Sequence, residues 1–231
     1  MTQVSIVLCT YNSLDTLGPA LDSALTQSLS SEDYEVIVVD DGSTDGTARM
    51  VETYRTRHPN LHYTGWPVNK GLTAASNLGL RTAQGQYFIR LDADDTFHAE
   101  ILSSCIEPLA RDETDLVYCD RYDVNIPDGT RSLIEVEPFN LFELTACGTM
   151  MRTDMLRDIG GYRNLFWEEY DLYLRYLQRS QRPPVRVPRP LYYYSRHPLS
   201  MTADSQRTSE GWDAMKRLWG TAELEQYGWS G

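Results

Sequence analysis

The strongest constraint on the fold is a rhythm in the first 95 residues, where short β-branched or aromatic runs alternate with amphipathic stretches of helical period. Residues 4–9, 35–39 and 87–91 are each bounded by polar turns, the pattern of parallel strands buried on both faces. Between them Leu14, Leu17, Leu21, Ala24 and Leu25 recur at helical spacing, as do Ala48, Val51 and Tyr54 after a helix cap at Ser43 or Thr44. A third helical stretch, 72–83, runs into the stop signal Gln84-Gly85. With a weaker strand at 61–63 the order is βαβαβαβ, which predicts an α/β fold with a doubly wound, mostly parallel sheet and right-handed crossovers.

Beyond Asp95 the rhythm changes. Residues 101–110 read as helix, 116–119 as strand, and 122–125 face 131–136 across the turn Pro127-Asp128-Gly129, a hairpin that implies a smaller, added mixed sheet. Residues 167–178 are helical, 185–195 extended and punctuated by proline, and the tail carries a short helix at 212–219. No repeat or linker interrupts the chain, so one domain over 1–231 is expected, with divisions at 1–95, 96–200 and a helical tail at 201–231.

The composition, 41% hydrophobic and 23% charged, is that of an ordinary globular chain. A formal net charge of −12 argues against nucleic acid, whose phosphates need clustered Lys and Arg. A single nucleotide remains a candidate ligand, because one metal ion and a few local donors can hold a small anion against the global field. No apolar run approaches the roughly 20 residues that span a bilayer. The chain enters Val4-Ser5-Ile6-Val7-Leu8 without a basic region or cleavage site, so it reads as cytoplasmic, with peripheral membrane contact at most. Cys9, Cys105, Cys119 and Cys147 form no CxxC pair and read as buried free thiols.

Ligands of open α/β sheets bind beyond the carboxyl ends of the strands, and three such ends are unusually polar: Thr10-Tyr11-Asn12, Asp40-Asp41-Gly42-Ser43 and Asp92-Ala93-Asp94-Asp95. The last packs three carboxylates into four residues, and their repulsion calls for a cation; hard oxygen ligands suit Mg²⁺ or Mn²⁺. The bland alternative is a solvated acidic turn. A carboxylate of Asp40-Asp41 can accept the ring N–H of uracil, thymine or guanine, whereas adenine and cytosine offer none; Ser43, Thr44 and Asp45 shape the turn and cap the next helix. Tyr11 can stack on a base while Thr10 and Asn12 supply hydrogen bonds, or the trio is only a turn.

With Asn69-Lys70-Gly71 before the third helix, the chain resembles the family 2 glycosyltransferases of GT-A fold. The resemblance runs through residues 5–12, Val38-Val39-Asp40-Asp41-Gly42-Ser43-Thr44-Asp45-Gly46-Thr47, Asn69-Lys70-Gly71 with 75–79, and 83–89 into Leu91-Asp92-Ala93-Asp94-Asp95. It resumes at Ile159-Gly160-Gly161-Tyr162, Glu168-Glu169-Tyr170-Asp171-Leu172 and Tyr194-Ser195-Arg196-His197-Pro198. The resemblance implies an inverting transfer of a sugar from a nucleoside-diphosphate donor, UDP-linked or else GDP- or dTDP-linked, to a hydroxyl on a glycan, lipid-linked or small-molecule acceptor. It makes 1–95 the nucleotide-sugar half and 96–200 the acceptor-side half. It places Thr10, Tyr11, Asn12, Asp41, Lys70 and Asp92 at the nucleotide, and Asp94, Asp92 and His197 at Mn²⁺ or Mg²⁺.

The general base of similar sequences is the Asp of a Glu-Asp pair opening a helix. Here the pair is Glu168-Glu169, with Glu169 in the matching place and Glu168 as the alternative. Arg196 and Asp95 are candidates to meet the diphosphate or acceptor. Asp171 can pair with Arg175 one turn on, which needs no catalytic role. Arg90, unusual inside a strand, either pairs with an acidic neighbour or reaches the donor. Two other readings compete. Asp92-Ala93-Asp94-Asp95-Thr96 fits the nucleophile loop of a haloacid-dehalogenase-type phosphatase but follows the fourth strand instead of the first. Glu-Glu in place of Glu-Asp also suits a non-catalytic nucleotide-sugar-binding protein.

Overall fold

The computed structural model describes residues 2–198 and 200–230. Its parallel half follows the rhythm of the sequence: β1 (Val4–Thr10), α1 (Leu17–Leu25), β2 (Tyr34–Asp40), α2 (Thr47–Arg55), β3 (Leu61–Gly65), α3 (Leu72–Thr82) and β4 (Tyr87–Asp92). Then come the two-residue β5 (Thr96–Phe97), α4 (Ile101–Ala110), β6 (Leu116–Asn125), β7 (Arg131–Ile134), β8 (Thr149–Arg152), α5 (Thr153–Asp158), α6 (Glu168–Arg179), β9 (Val185–Arg196), α7 (Ser205–Trp219) and α8 (Thr221–Gln226).

The sheet order is β3-β2-β1-β4-β8-β6-β9-β5, with β7 paired to β6. β1, β2, β3 and β4 pair in parallel, while β8 runs antiparallel to both β4 and β6. The added sheet expected from the sequence is therefore a continuation of the first: β8 joins both halves into one mixed, nine-stranded sheet. The hairpin forms, pairing Arg121 with Ile134 through Val124 with Arg131.

Strand alternation sends side chains to two cores. Ile6, Leu8, Val36 and Val38 pack with Leu17, Leu21 and Val51 and, farther along, Ile101. Val7, Ile37 and Val39 lie on the opposite face, in the core that holds Ala75, Leu80, Leu156 and Leu172. Truncating a fully buried side chain such as Ile37 to Ala costs about 2–5 kcal/mol. α3 lies so near β1 that a Cβ on Gly79 would stand 2.2 Å from Val7 Cγ1.

Four elements were not legible in the sequence: β5, β8, α5 and α8, each of six residues or fewer. The tail helix begins earlier than expected, because Asp204 accepts the N–H groups of Gln206 and Arg207 as its cap. α2 opens at Gly46, at φ +105°, instead of at Ser43 or Thr44. Ser43 Oγ is taken by the Asn12 N–H, and Asp45 Oδ1 accepts the Thr47 N–H instead. All four cysteines are buried and free. Among the described residues no helix is long and apolar enough to cross a membrane.

Candidate active site

The carboxyl ends of β1, β4 and β9 and the first turn of α6 converge on a cavity of about 790 Å³. Of the residues singled out in the sequence, Tyr11, Asn12, Asp92, Asp94, Glu168, Glu169, Arg196 and His197 line it. Thr10, Asp41, Lys70 and Asp95 are not in its walls.

The acidic motif divides into inward and outward groups. Asp95 is buried, with one oxygen accepting the Tyr192 hydroxyl and the other the Ser195 N–H at 2.7 Å. Burial, followed by the charges of Asp92 and Asp94, pushes its carboxyl well above the usual range. Its oxygens tie the loop after β4 to the end of β9 and do not reach for a diphosphate. Asp94 instead meets His197 Nε2 at 2.8 Å, across a cavity wall that both help to form. Asp92 Oδ1 lies 3.1 Å from Arg90 Nε, yet both atoms are buried without a well-directed hydrogen bond among the described residues.

These groups can be tested as a cation site. Asp94 and His197, in contact with each other, offer a hard and a borderline donor that suit Mn²⁺ or Mg²⁺, and the orphaned Asp92 oxygen is one that a cation would satisfy, although the ligand atoms of these three do not all lie within 4.8 Å of one another. Asp92, Asp95 and Cys147 do bring ligand atoms within 4.8 Å of one another. That trio fits less well: burial and the nearby carboxylates hold the Cys147 thiol well above its ordinary range, and Asp95 already has its partners.

The two glutamates opening α6 have different surroundings. Glu168 is buried and accepts from Arg90 Nη1 at 2.9 Å, which answers the question posed by a buried arginine in β4: it pairs with an acidic neighbour. Glu169, half-buried in the cavity wall, pairs with no other side chain among the described residues. Burial, then the charge of Glu168, pushes its carboxyl well above the usual range, against the pull of Arg90. Asp171 accepts from Arg175 Nε at 2.8 Å, as its spacing suggested, and Arg175 also donates to the carbonyls of Ile159 and Gly161.

The loop after β2 is more self-contained than its sequence implied. Asp40 accepts the Ser43 N–H and the Tyr63 hydroxyl, both at 2.8 Å. Asn12 Oδ1 accepts the Thr44 N–H, so Asn12 holds the turn together. Asp41, expected to await a ligand N–H, already accepts from Trp66 Nε1 at 2.5 Å and from the backbone N–H groups of Lys70 and Gly71, each at 2.7 Å. The Lys70 ammonium sits over the Trp66 indole, 4.4 Å from its centroid. Tyr11 remains 49% exposed and free to stack, and buried Thr10 Oγ1 has no partner among the described residues. Arg196 donates to Asp123 at 2.8 Å and lies over Tyr194.

Sequence reasoning missed Trp66 and an aromatic wall of Phe142, Trp167 and Tyr170. Trp167 and Tyr170 stack at 5.3 Å, and Trp212 of α7 stacks on Tyr170 at 5.7 Å. The three-residue spacing of Trp167 and Tyr170 at a helix start was a readable signal; nothing local marked Trp66, 25 residues from Asp41.

Comparison with known proteins gives this geometry a context. Residues 5–168 match the model of glycosyl transferase family 2. A putative glycosyltransferase of Bacillus subtilis, EpsE, is 32% identical over 195 residues, covering 78% of this chain and 68% of its own. The cholesterol galactosyltransferase of Borreliella burgdorferi is 34% identical over 115 residues, 50% of this chain. The chain spans only 31% of the length of that relative, and 16% of the Bacillus spizizenii poly(ribitol-phosphate) beta-glucosyltransferase that it also matches. Among solved structures, S. aureus TarS 1-349 in complex with UDP-GlcNAc superposes with a TM-score of 0.81 at 20% identity, over 99% of this chain and 68% of that one. The Pyrobaculum calidifontis mannosyltransferase PcManGT in complex with GDP-Man and Mn²⁺ gives 0.72 at 19%, over 93% and 64%. At these identities the likeness is one of fold, and the fold is the GT-A type expected from the sequence.

Proposed function

Since the chain belongs to glycosyl transferase family 2, we propose that it transfers a sugar, with inversion, from a nucleoside-diphosphate donor to an acceptor hydroxyl, with Glu169 as general base. The observation that carries this reading is the contrast inside the Glu168-Glu169 pair: Glu168 is neutralised by Arg90, while Glu169 faces the cavity unpaired. A carboxylate with a raised proton affinity is suited to take a hydroxyl proton.

In this reaction the acceptor oxygen attacks the anomeric carbon as its proton passes to Glu169, and the bond from that carbon to the diphosphate oxygen breaks with its electron pair leaving on the nucleoside diphosphate. Asp94, Asp92 and His197 would hold a Mn²⁺ or Mg²⁺ ion, which supplies charge neutralisation for the departing diphosphate. The exposed ring of Tyr11 provides a stacking face for the base. Fold neighbours solved with UDP-GlcNAc and with GDP-Man support a nucleotide-sugar donor. Phe142, Trp167 and Tyr170 line the same cavity as Glu169 and offer an aromatic surface against which an acceptor would pack.

The test is turnover of a panel of UDP-, GDP- and dTDP-sugars with and without glycan acceptors, in Mn²⁺ or Mg²⁺ and in chelator. Metal-dependent release of nucleoside diphosphate, stimulated by acceptor, is expected. Tight donor binding with no turnover by any acceptor would favour a binding protein instead.

A further inference from the structure

Asp41 carries information about the donor base that its sequence neighbours do not. A carboxylate presents about four lone-pair sites, two on each oxygen. Here Oδ1 receives Trp66 Nε1 at 2.5 Å and the Lys70 N–H at 2.7 Å, so both of its sites are filled. Oδ2 receives only the Gly71 N–H, at 2.7 Å, and keeps one site. The donors are firmly placed. Gly42, at φ +85°, touches the opposing loop so closely that a Cβ there would lie 2.8 Å from Asn69 N and Val68 C. The Lys70 ammonium over the indole braces Trp66 from above.

We infer that Trp66 is a specificity-determining residue that leaves Asp41 able to accept a single ligand N–H, and so selects uracil or thymine over guanine. The inference rests on the expectation from sequence that Asp41, whose Oδ2 keeps a free site, reads the base of the proposed nucleoside-diphosphate donor. An imide presents one N–H flanked by two carbonyls and needs one acceptor site. Guanine presents N1–H and an exocyclic amino group side by side, and its pairing with a carboxylate uses one site on each oxygen. With Oδ1 full, guanine either forfeits one of these bonds, stranding a polar group, or displaces the indole N–H from its acceptor. A uracil or thymine base incurs neither loss.

Calorimetric titration of the full chain with UDP, dTDP, GDP and 3-methyluridine diphosphate, at fixed Mn²⁺, tests this. UDP and dTDP are expected to bind at least about tenfold more tightly than GDP, the scale set by one lost hydrogen bond. Trp66→Phe keeps the ring under Lys70 but removes the N–H, and is expected to narrow the UDP-to-GDP ratio by restoring a site on Oδ1. GDP binding as tightly as UDP to the wild-type protein overturns the inference without recourse to any variant; so does an unchanged ratio in a folded Trp66→Phe protein. The 3-methyl compound separates the premise from the inference, because it lacks the ring N–H whichever residue selects the base. If it binds like UDP, the base-reading role of Asp41 fails first. If it binds about tenfold or more weakly while GDP matches UDP, Asp41 reads the base and Trp66 does not restrict it.

Discussion

Two carboxylates, one at the end of β2 and one at the start of α6, face opposite physical situations. Asp41 is almost wholly buried and holds three donors of its own chain, whereas Glu169 stands in the cavity wall with no side-chain partner. The difference separates holding from reacting. A carboxylate whose hydrogen bonds are made in advance has a fixed position, which suits a group that measures a ligand. One left unpaired in a poorly hydrated wall takes a proton readily, which suits a base.

The comparison is broken most directly by Glu169→Gln. Turnover with an acceptor should fall about 10²–10⁴-fold, while melting temperature and affinity for the nucleoside diphosphate stay unchanged, because the amide keeps the shape and nothing in the fold leans on the charge. A fully active Glu169→Gln enzyme would transfer the role to Glu168 or to another proton route. The second effect is on stability. Arg90→Met leaves Glu168 buried without its ion-pair partner and should cost about 3–5 kcal/mol. Measured by urea unfolding, a loss below about 1 kcal/mol would mean that Glu168 finds another partner or takes up a proton at little expense.

Much of this was legible beforehand. The parallel half was, since its strands bury both faces and its helices carry one clear stripe, so residue pattern and environment agree. β8 was not: its four residues, Thr149 to Arg152, are too few to show a period, and they become strand only because β4 and β6 offer edges on both sides. At the site, clustering of acids along the chain pointed to Asp92 and Asp94, and the resemblance of Glu168-Glu169 to a Glu-Asp pair pointed to Glu169; all three line the cavity. Neither could reveal which acids are already paired, because the partners come from far away: Arg90 is 78 residues from Glu168, and Ser195 is 100 from Asp95. The satisfied state of Asp41 was hidden for the same reason, and it changes what that residue should do when removed.

Asp41→Ala, expected from sequence to weaken donor binding far more than it disturbs folding, should also destabilise the fold. It strands the Trp66 indole N–H and the amides of Lys70 and Gly71. Since Lys70 is exposed, water recovers part of the loss, and about 1–3 kcal/mol is expected alongside weakened donor binding. An unchanged unfolding midpoint would show that these donors rehydrate freely, and the contrast with Glu169 would then be one of position alone.

The smallest effect is the most discriminating, because it asks whether the paired glutamate tunes the unpaired one. Glu169 is raised by burial first and by the negative charge of Glu168 second, with Arg90 opposing. A base works in its deprotonated form, so activity should rise with pH through this raised value, and the acid limb of kcat/KM should lie above the ordinary glutamate range. Glu168→Gln keeps a carbonyl oxygen to accept from Arg90 Nη1 but removes the charge. Both consequences act in one direction: repulsion on Glu169 disappears, and Arg90 is left with more of its field to spend on Glu169. The acid limb should therefore move to lower pH, with turnover on its plateau little changed. A limb that stays in place in Glu168→Gln, in a protein that still loses activity with Glu169→Gln, would mean that burial alone sets the proton affinity of the base and that Glu168 serves only to neutralise Arg90.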